Sequence, residues 1–232
     1  MFTQAGFEAA FSYWRLFLEG TVTTVVLSAC AVFFGFIMAL ILALCRMSKV
    51  GPLRWIATAY VEVFRATPML VQVLLIYNMM TMAFDMPTFT LFFDVRFSRF
   101  LPGVIALSLN SGAYLSEVIR SGISSIPIGQ TEAARSLGLP AGKTMRLVVL
   151  PQAIKNILPA MANEFVTIIK ESSITYLIGV SEIMSAVQAV RGATYRSLEA
   201  LVYAGILYFC LTFPTSKVIA HFERKMSRGY KR

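Results

Sequence analysis

Apolar positions run through this chain in long stretches that carry no charge: Thr21 to Cys45, Ala66 to Phe84, Phe100 to Ser116 and Ala200 to Ser216. Each is close to the roughly 20 residues that a helix needs to cross hydrocarbon. A further stretch, Asn156 to Val180, has the length and the apolar content, in Ile157, Leu158, Met161, Phe165, Ile168, Ile169 and Leu177, yet carries Glu164, Lys170 and Glu171. Together they predict five membrane-spanning helices. Ahead of them, Phe2 to Glu19 mixes Phe7, Phe11, Trp14, Phe17 and Leu18 with Glu8, Arg15 and Glu19, the pattern of an amphipathic helix lying in the interface. It has neither a basic leader before an apolar core nor a small-residue cleavage site, so the first span is expected to act as an uncleaved insertion signal. The chain divides into an interfacial helix at 1–19, a transmembrane domain at 20–220 with a polar loop at about 122–158, and a basic tail at 221–232. The expected fold is all-α.

Composition agrees, with 57% hydrophobic and 14% charged residues and a mean hydropathy of +0.69, far from the mix of a soluble domain. Charge then orients the spans. With five of them, one side collects fourteen Lys and Arg, among them Arg46, Lys49, Arg54, Arg120, Arg135, Lys143 and the cluster at 217–232; the other holds Arg15, Arg96, Arg99, Arg191 and Arg196. Cytoplasmic loops carry the positive excess, which puts the N-terminus outside and the C-terminus inside. Leaving out the charged fifth stretch would put the basic tail outside. The net charge of +9 is thus accounted for by topology and anionic lipid, and calls for no nucleic acid.

Catalytic chemistry is hard to place. Cys30, Cys45 and Cys210 all sit in apolar stretches and read as small buried hydrophobes, and His221, the one histidine, lies in the basic tail. No nucleophile, acid and base set is evident, and no metal-ligand spacing. Gly138-Leu-Pro-Ala-Gly142-Lys143-Thr144 resembles a phosphate-cradling loop, but has three residues between its glycines where four are needed, and no apolar strand before it. Any ATP must be handled elsewhere.

The polar loop has its own logic. Thr131 is the expected N-cap of a short helix starting at Glu132, whose carboxylate suits the positive end of the helix dipole. Ala133 and Ala134 keep that helix thin enough for a partner's groove, while Gly138 and Pro140 end it. The plainer reading is a connector with ordinary capping.

In the charged stretch, Glu164, Thr167, Glu171 and Thr175 follow offsets of three, four and four, and so share one helix face. Polar groups inside a membrane usually face a protein interior or an aqueous cavity. Ser172 beside this face, Gln72 and Asn78 on the second span, and Asn110, Tyr114 and Glu117 on the third are further candidates for a solute pathway. The alternative is bonding between helices, for which Ser108, Ser111, Gly112 and Ala113 mark close-packed surfaces. Thr67-Pro68 marks a break at the entrance of the second span, either a hinge or a helix start near the headgroups.

The spacing of Glu132-Ala133-Ala134, Gly138, Val148 and Leu150-Pro151 resembles the EAA loop of bacterial ABC importer permeases, with Val148 where Ile is usual. Ala59 to Gln72 (AYVEVFRATPMLVQ) is similar to a run of the polar amino acid uptake branch, with Ala66 for a common Gly and Met69 for a common Leu. Leu107 to Gln130 and Lys170-Glu171-Ser172-Ser173 with Ile178-Gly179 resemble the same branch. The resemblance implies a multi-pass permease subunit of the bacterial inner membrane that imports histidine, arginine, glutamine or glutamate-like solutes. It implies pairing with a second permease, identical or homologous, with two ATPase subunits that hold ATP and Mg, and with a periplasmic or lipid-anchored amino acid binding protein. Glu132, Ala133, Ala134, Arg135 and Gly138 would then couple to the ATPase. An uncoupled channel or secondary carrier is the other function class, and it has no use for such a loop.

Overall fold

The computed structural model describes residues 4–227, and expectations for 1–3 and 228–232 lie outside the described residues. Almost everything is helical: α1 (Gln4–Phe11), α2 (Trp14–Met47), α3 (Gly51–Ala66), α4 (Met69–Ala83), α5 (Phe97–Ser124), α6 (Ile128–Ser136), α7 (Ala141–Thr144), α8 (Leu150–Glu171), α9 (Ile183–Thr194) and α10 (Ser197–Ser227). A hairpin of β1 (Thr90–Phe92) and β2 (Val95–Arg96), not anticipated from the sequence, precedes α5. Among the described residues, α2 and α10 are each long and apolar enough to cross a membrane. Two bent pairs also pass when taken together: α3 with α4 at 113°, and Ala141–Ile178 with α9 at 47°. At 28 residues, α5 is about 42 Å long and also matches a bilayer in length.

Small residues set the packing of the central pair. Along α2, Gly20, Thr24, Ser28, Ala31, Gly35, Ala39 and Ala43 are buried at steps of three and four, a thin face that lets another backbone approach. That partner is α5, whose Gly103, Ala106, Ser108, Ser111, Gly112 and Ala113 are buried in turn. The opposite face of α2 exposes Phe33, Phe34, Ile37, Ile41 and Leu44, as hydrocarbon permits. Four apolar clusters lie along the pair, one of them joining Leu42 and Ala113 to Ala57 and Val61 of α3. Leu27, Val73, Val104, Leu107, Ile168 and Ile178 form the middle one. Phe17, Ile183, Val187, Val190 and Ala200 lie at one end, and Ala39, Leu115, Ile119, Ala153 and Ile157 at the other.

The structure redraws three expectations. The amphipathic N-terminal helix stops at Phe11, and Trp14 to Glu19 open α2, so the first long helix is 34 residues rather than the 25 of its charge-free run. The second stretch is a 15-residue helix, about 22 Å at 1.5 Å per residue, too short to cross alone. The break at Thr67-Pro68 therefore lies within a bent pair. Residues 221–227 continue α10 rather than forming a separate tail.

Candidate functional site

The polar loop folds into a small, exposed unit. Its helix α6 begins at Ile128, four residues before Glu132, with Pro127 at the N-cap and no side-chain cap. Proline fixes its own φ near the helical value and needs no partner for a missing N–H, so it starts the helix where Thr131 was expected to. Thr131 is interior, and Glu132 lies beyond the first turn. The helix end is as expected. Gly138 has φ +84, and the Gly138 and Leu139 amides donate to the carbonyls of Arg135 and Ala134 at 3.0 and 3.1 Å, the two bonds of a Schellman stop. Ala134 is only 6% exposed and turns into the chain's own loop, so of the five expected coupling residues Glu132, Ala133, Arg135 and Gly138 face out. Leu137 beside them is 85% exposed. After α7, Met145–Val149 forms a π turn that leads into α8. Pro151 has no N–H to donate to Leu147, and the wider turn absorbs that mismatch.

The charged stretch keeps its polar face only as far as α8 runs. Glu164, Thr167 and Glu171 are half-buried on one side of it, and Lys170 is exposed. Neither carboxylate forms an ion pair among the described residues, where the three pairs involve other side chains. Beyond Glu171 the backbone tightens into a 3-10 segment, Ser172–Ile178. Ser172 and Thr175 are fully buried there, their hydroxyls donating to the carbonyls of Ile169 and Ser172 at 2.8 and 2.7 Å.

The other candidate pathway residues are each engaged elsewhere. Gln72 Nε2 donates to the Phe64 and Thr67 carbonyls at 2.8 and 3.0 Å, and Asn110 Nδ2 donates to Gln72 Oε1 at 2.8 Å. A helix that breaks in an apolar setting leaves carbonyls without partners, and this pair supplies donors to them. Glu117 accepts from Arg46 Nη1 at 2.7 Å and pairs with Arg120, tying the end of α2 to α5. Asn78 is exposed on α4 and donates to the Leu74 carbonyl of its own helix. Tyr114 lies under the Arg65 guanidinium, 5.6 Å from ring centre to Cζ.

Glu182 was missed. It is fully buried, caps α9 by accepting from the Ser185 amide at 2.9 Å, and accepts from the Tyr208 hydroxyl at 2.8 Å. A Glu just before Ile-Met-Ser-Ala-Val is a weak helix-start signal, and its second partner is 26 residues away.

Comparison with known proteins places this arrangement. A family model described as a binding-protein-dependent transport system inner membrane component matches residues 11–228. The chain is 40% identical to the arginine transport system permease protein ArtQ of Bacillus subtilis (strain 168), over 95% of this chain and 96% of that protein. It is also 40% identical to the putative glutamine transport system permease protein GlnP of Rickettsia conorii (strain ATCC VR-613 / Malish 7), over 90% and 92%. A crystal structure of an amino acid ABC transporter with histidines superposes with a TM-score of 0.87 at 41% identity, covering 97% of this chain and all of that one.

Proposed function

This chain belongs to the family of binding-protein-dependent transport system inner membrane components, and from that membership we propose how it works. It is the permease subunit of an ATP-driven amino acid importer in the bacterial inner membrane, and it carries no ATPase site of its own. An uncoupled carrier is not favoured. The finer reading is a five-span subunit with its N-terminus outside. The α2 helix, the bent α3 and α4 pair, α5, α8 with its 3-10 extension, and α10 supply the spans, and the basic excess at the α6 end supports the orientation. Two ATPase subunits, holding ATP and Mg2+, engage the exposed face of α6 through Glu132, Ala133 and Arg135, with Gly138 fixing the helix end. A second permease, identical or homologous, completes the pathway.

One observation carries the solute reading. Amid the exposed apolar side chains of this chain, α8 presents Glu164, Thr167 and Glu171 half-exposed, with neither carboxylate in an ion pair among the described residues, Glu164 meeting the Ser111 hydroxyl and Glu171 lying beside Lys170. Such a face is unstable against lipid. Against a second permease it becomes the wall of a polar cavity, suited to the ammonium or the cationic side chain of an amino acid. Gln72, Asn110 and Glu117 then serve to hold the helices that frame it. Alternating access follows: the ATPases close on ATP, α6 moves, and the cavity opens toward the binding protein. The test is uptake by the reconstituted complex. Glu164→Gln and Glu171→Gln should each raise the half-saturating concentration of the cationic amino acid about tenfold, the loss of one charge-assisted contact. Unchanged affinity in both removes the cavity assignment.

A further inference from the structure

The far end of the molecule from α6 carries a ridge with no role so far. It is α9, packed by Ile183, Ala186, Val187 and Val190 onto Phe17, Ala200 and Ala204 and locked by Glu182 to Tyr208 of α10. Gly20 of α2 lies so close beneath it that a Cβ there would come within 2.8 Å of the Glu182 carbonyl. The ridge is therefore held firmly, and its remaining side is open. Two hollows flank it, and they differ in charge. One, of about 230 Å3, is lined by Glu19 and Asp94 together with Ser181 and Ser185. The other, of about 540 Å3, is lined by Arg191, Gln188 and Tyr195. None of Glu19, Asp94 and Arg191 forms an ion pair among the described residues.

The corner at the end of the ridge has a cost in backbone conformation. Tyr195 is held at φ 57 with its amide donating to the Arg191 carbonyl at 2.9 Å, and its side chain is 92% exposed. A bulky residue in the left-handed region is uncommon, and here it stands a large aromatic group in the open beside the Arg191 guanidinium, which is in no ion pair among the described residues. Tyr and Arg are the residue types that anchor protein interfaces.

The geometry points to the α9 ridge as the docking surface for the transporter's amino acid binding protein, which would set an acidic side chain against Arg191 and Tyr195 and a basic one into the hollow of Glu19 and Asp94. Opposite charges on two sides of one rigid helix fix the partner's orientation as well as its position. This assignment rests on the importer reading, which puts the α9 end outside. The family description itself names a binding protein as the partner on which transport depends.

The experiment uses the full complex in lipid nanodiscs, with ATP hydrolysis titrated against the purified binding protein loaded with amino acid. Wild type should be stimulated saturably, and Arg191→Glu and Asp94→Lys should each raise the half-saturating concentration about tenfold while the saturated rate is kept, the signature of a lost charge contact. Added salt should weaken wild type more than either variant. An acidic-to-Lys change in the binding protein that restores Arg191→Glu secures the pairing. Should a reversal prevent assembly, Arg191→Gln and Asp94→Asn are read in the same way, with about threefold shifts. Half-saturation equal to wild type in all of these variants overturns the docking surface and leaves the importer intact. No stimulation of wild type by any loaded binding protein overturns the importer reading and the surface with it.

Discussion

Two glycines, one at each end of the molecule, do opposite work. Gly138, after α6, has φ +84 and empty space where a Cβ would be. It is glycine because the backbone turns left-handed there, and the surface around it is open. Gly20, near the start of α2, has an ordinary helical backbone, but a Cβ would lie 2.8 Å from the carbonyl of Glu182. It is glycine because α9 leaves no room. The α6 end is shaped by its own backbone and leaves its surface open, as the proposed docking of an ATPase requires, whereas the α9 end is fixed by contacts the chain provides for itself. A displacement delivered at α6 is useful only if the structure that receives it does not yield, and the small-residue packing of α2 on α5 links the two ends.

The contrast is most exposed at Gly138. Gly138→Asp asks an L residue to take up a left-handed conformation and puts a charge on the open face. Insertion and pairing with the second permease should persist while ATP-driven uptake falls on the order of 100-fold, the range of a lost coupling between sites. Full uptake by a normally expressed variant would end the coupling role of α6. Gly20→Ala should do the reverse. Overpacking against the backbone of Glu182 costs about 1–3 kcal/mol, seen as a lower unfolding midpoint of the purified complex. The number of amino acids moved per ATP by the surviving fraction should not change. An unaltered midpoint would mean that α9 can retreat and that the ridge is not rigid.

How far the sequence disclosed each end follows the same division. The loop was largely legible, because a helix stopped by glycine and followed by Leu-Pro is specified within a few neighbouring residues. Its error was local: Thr131 was expected to cap the helix, yet Pro127 begins it and Gly129 is tolerated within its first turn. The apolar runs gave the long helices, and the three-and-four spacing gave the polar face of α8 as far as Glu171. The α9 end was not legible. Glu182 meets Tyr208 across 26 residues, Ile183 meets Thr24 across 159, and no local pattern announces such pairs. Gln72, Asn110 and Glu117 have partners that were hidden in the same way. Their polarity within apolar stretches marked them as special, but only the fold shows that two of them fasten a helix break and the third joins α2 to α5.

The smallest effect sharpens the comparison most finely. Gly142 lies in α7, just behind α6, also with nothing near its missing Cβ, but with no left-handed backbone to protect. If glycine is used at this end only where the backbone demands it, Gly142→Ala should gain about 0.5–1 kcal/mol of helix stability, from reduced freedom of the unfolded chain. Uptake should stay within about twofold of wild type, as for substitutions on an open surface. Paired measurements of unfolding midpoint and transport rate on this variant decide the matter. A loss of uptake approaching that of Gly138→Asp, without any loss of stability, would mean that an ATPase subunit closes on this residue as tightly as α9 closes on Gly20. The two ends would then differ only in whether the crowding neighbour belongs to this chain or to its partner.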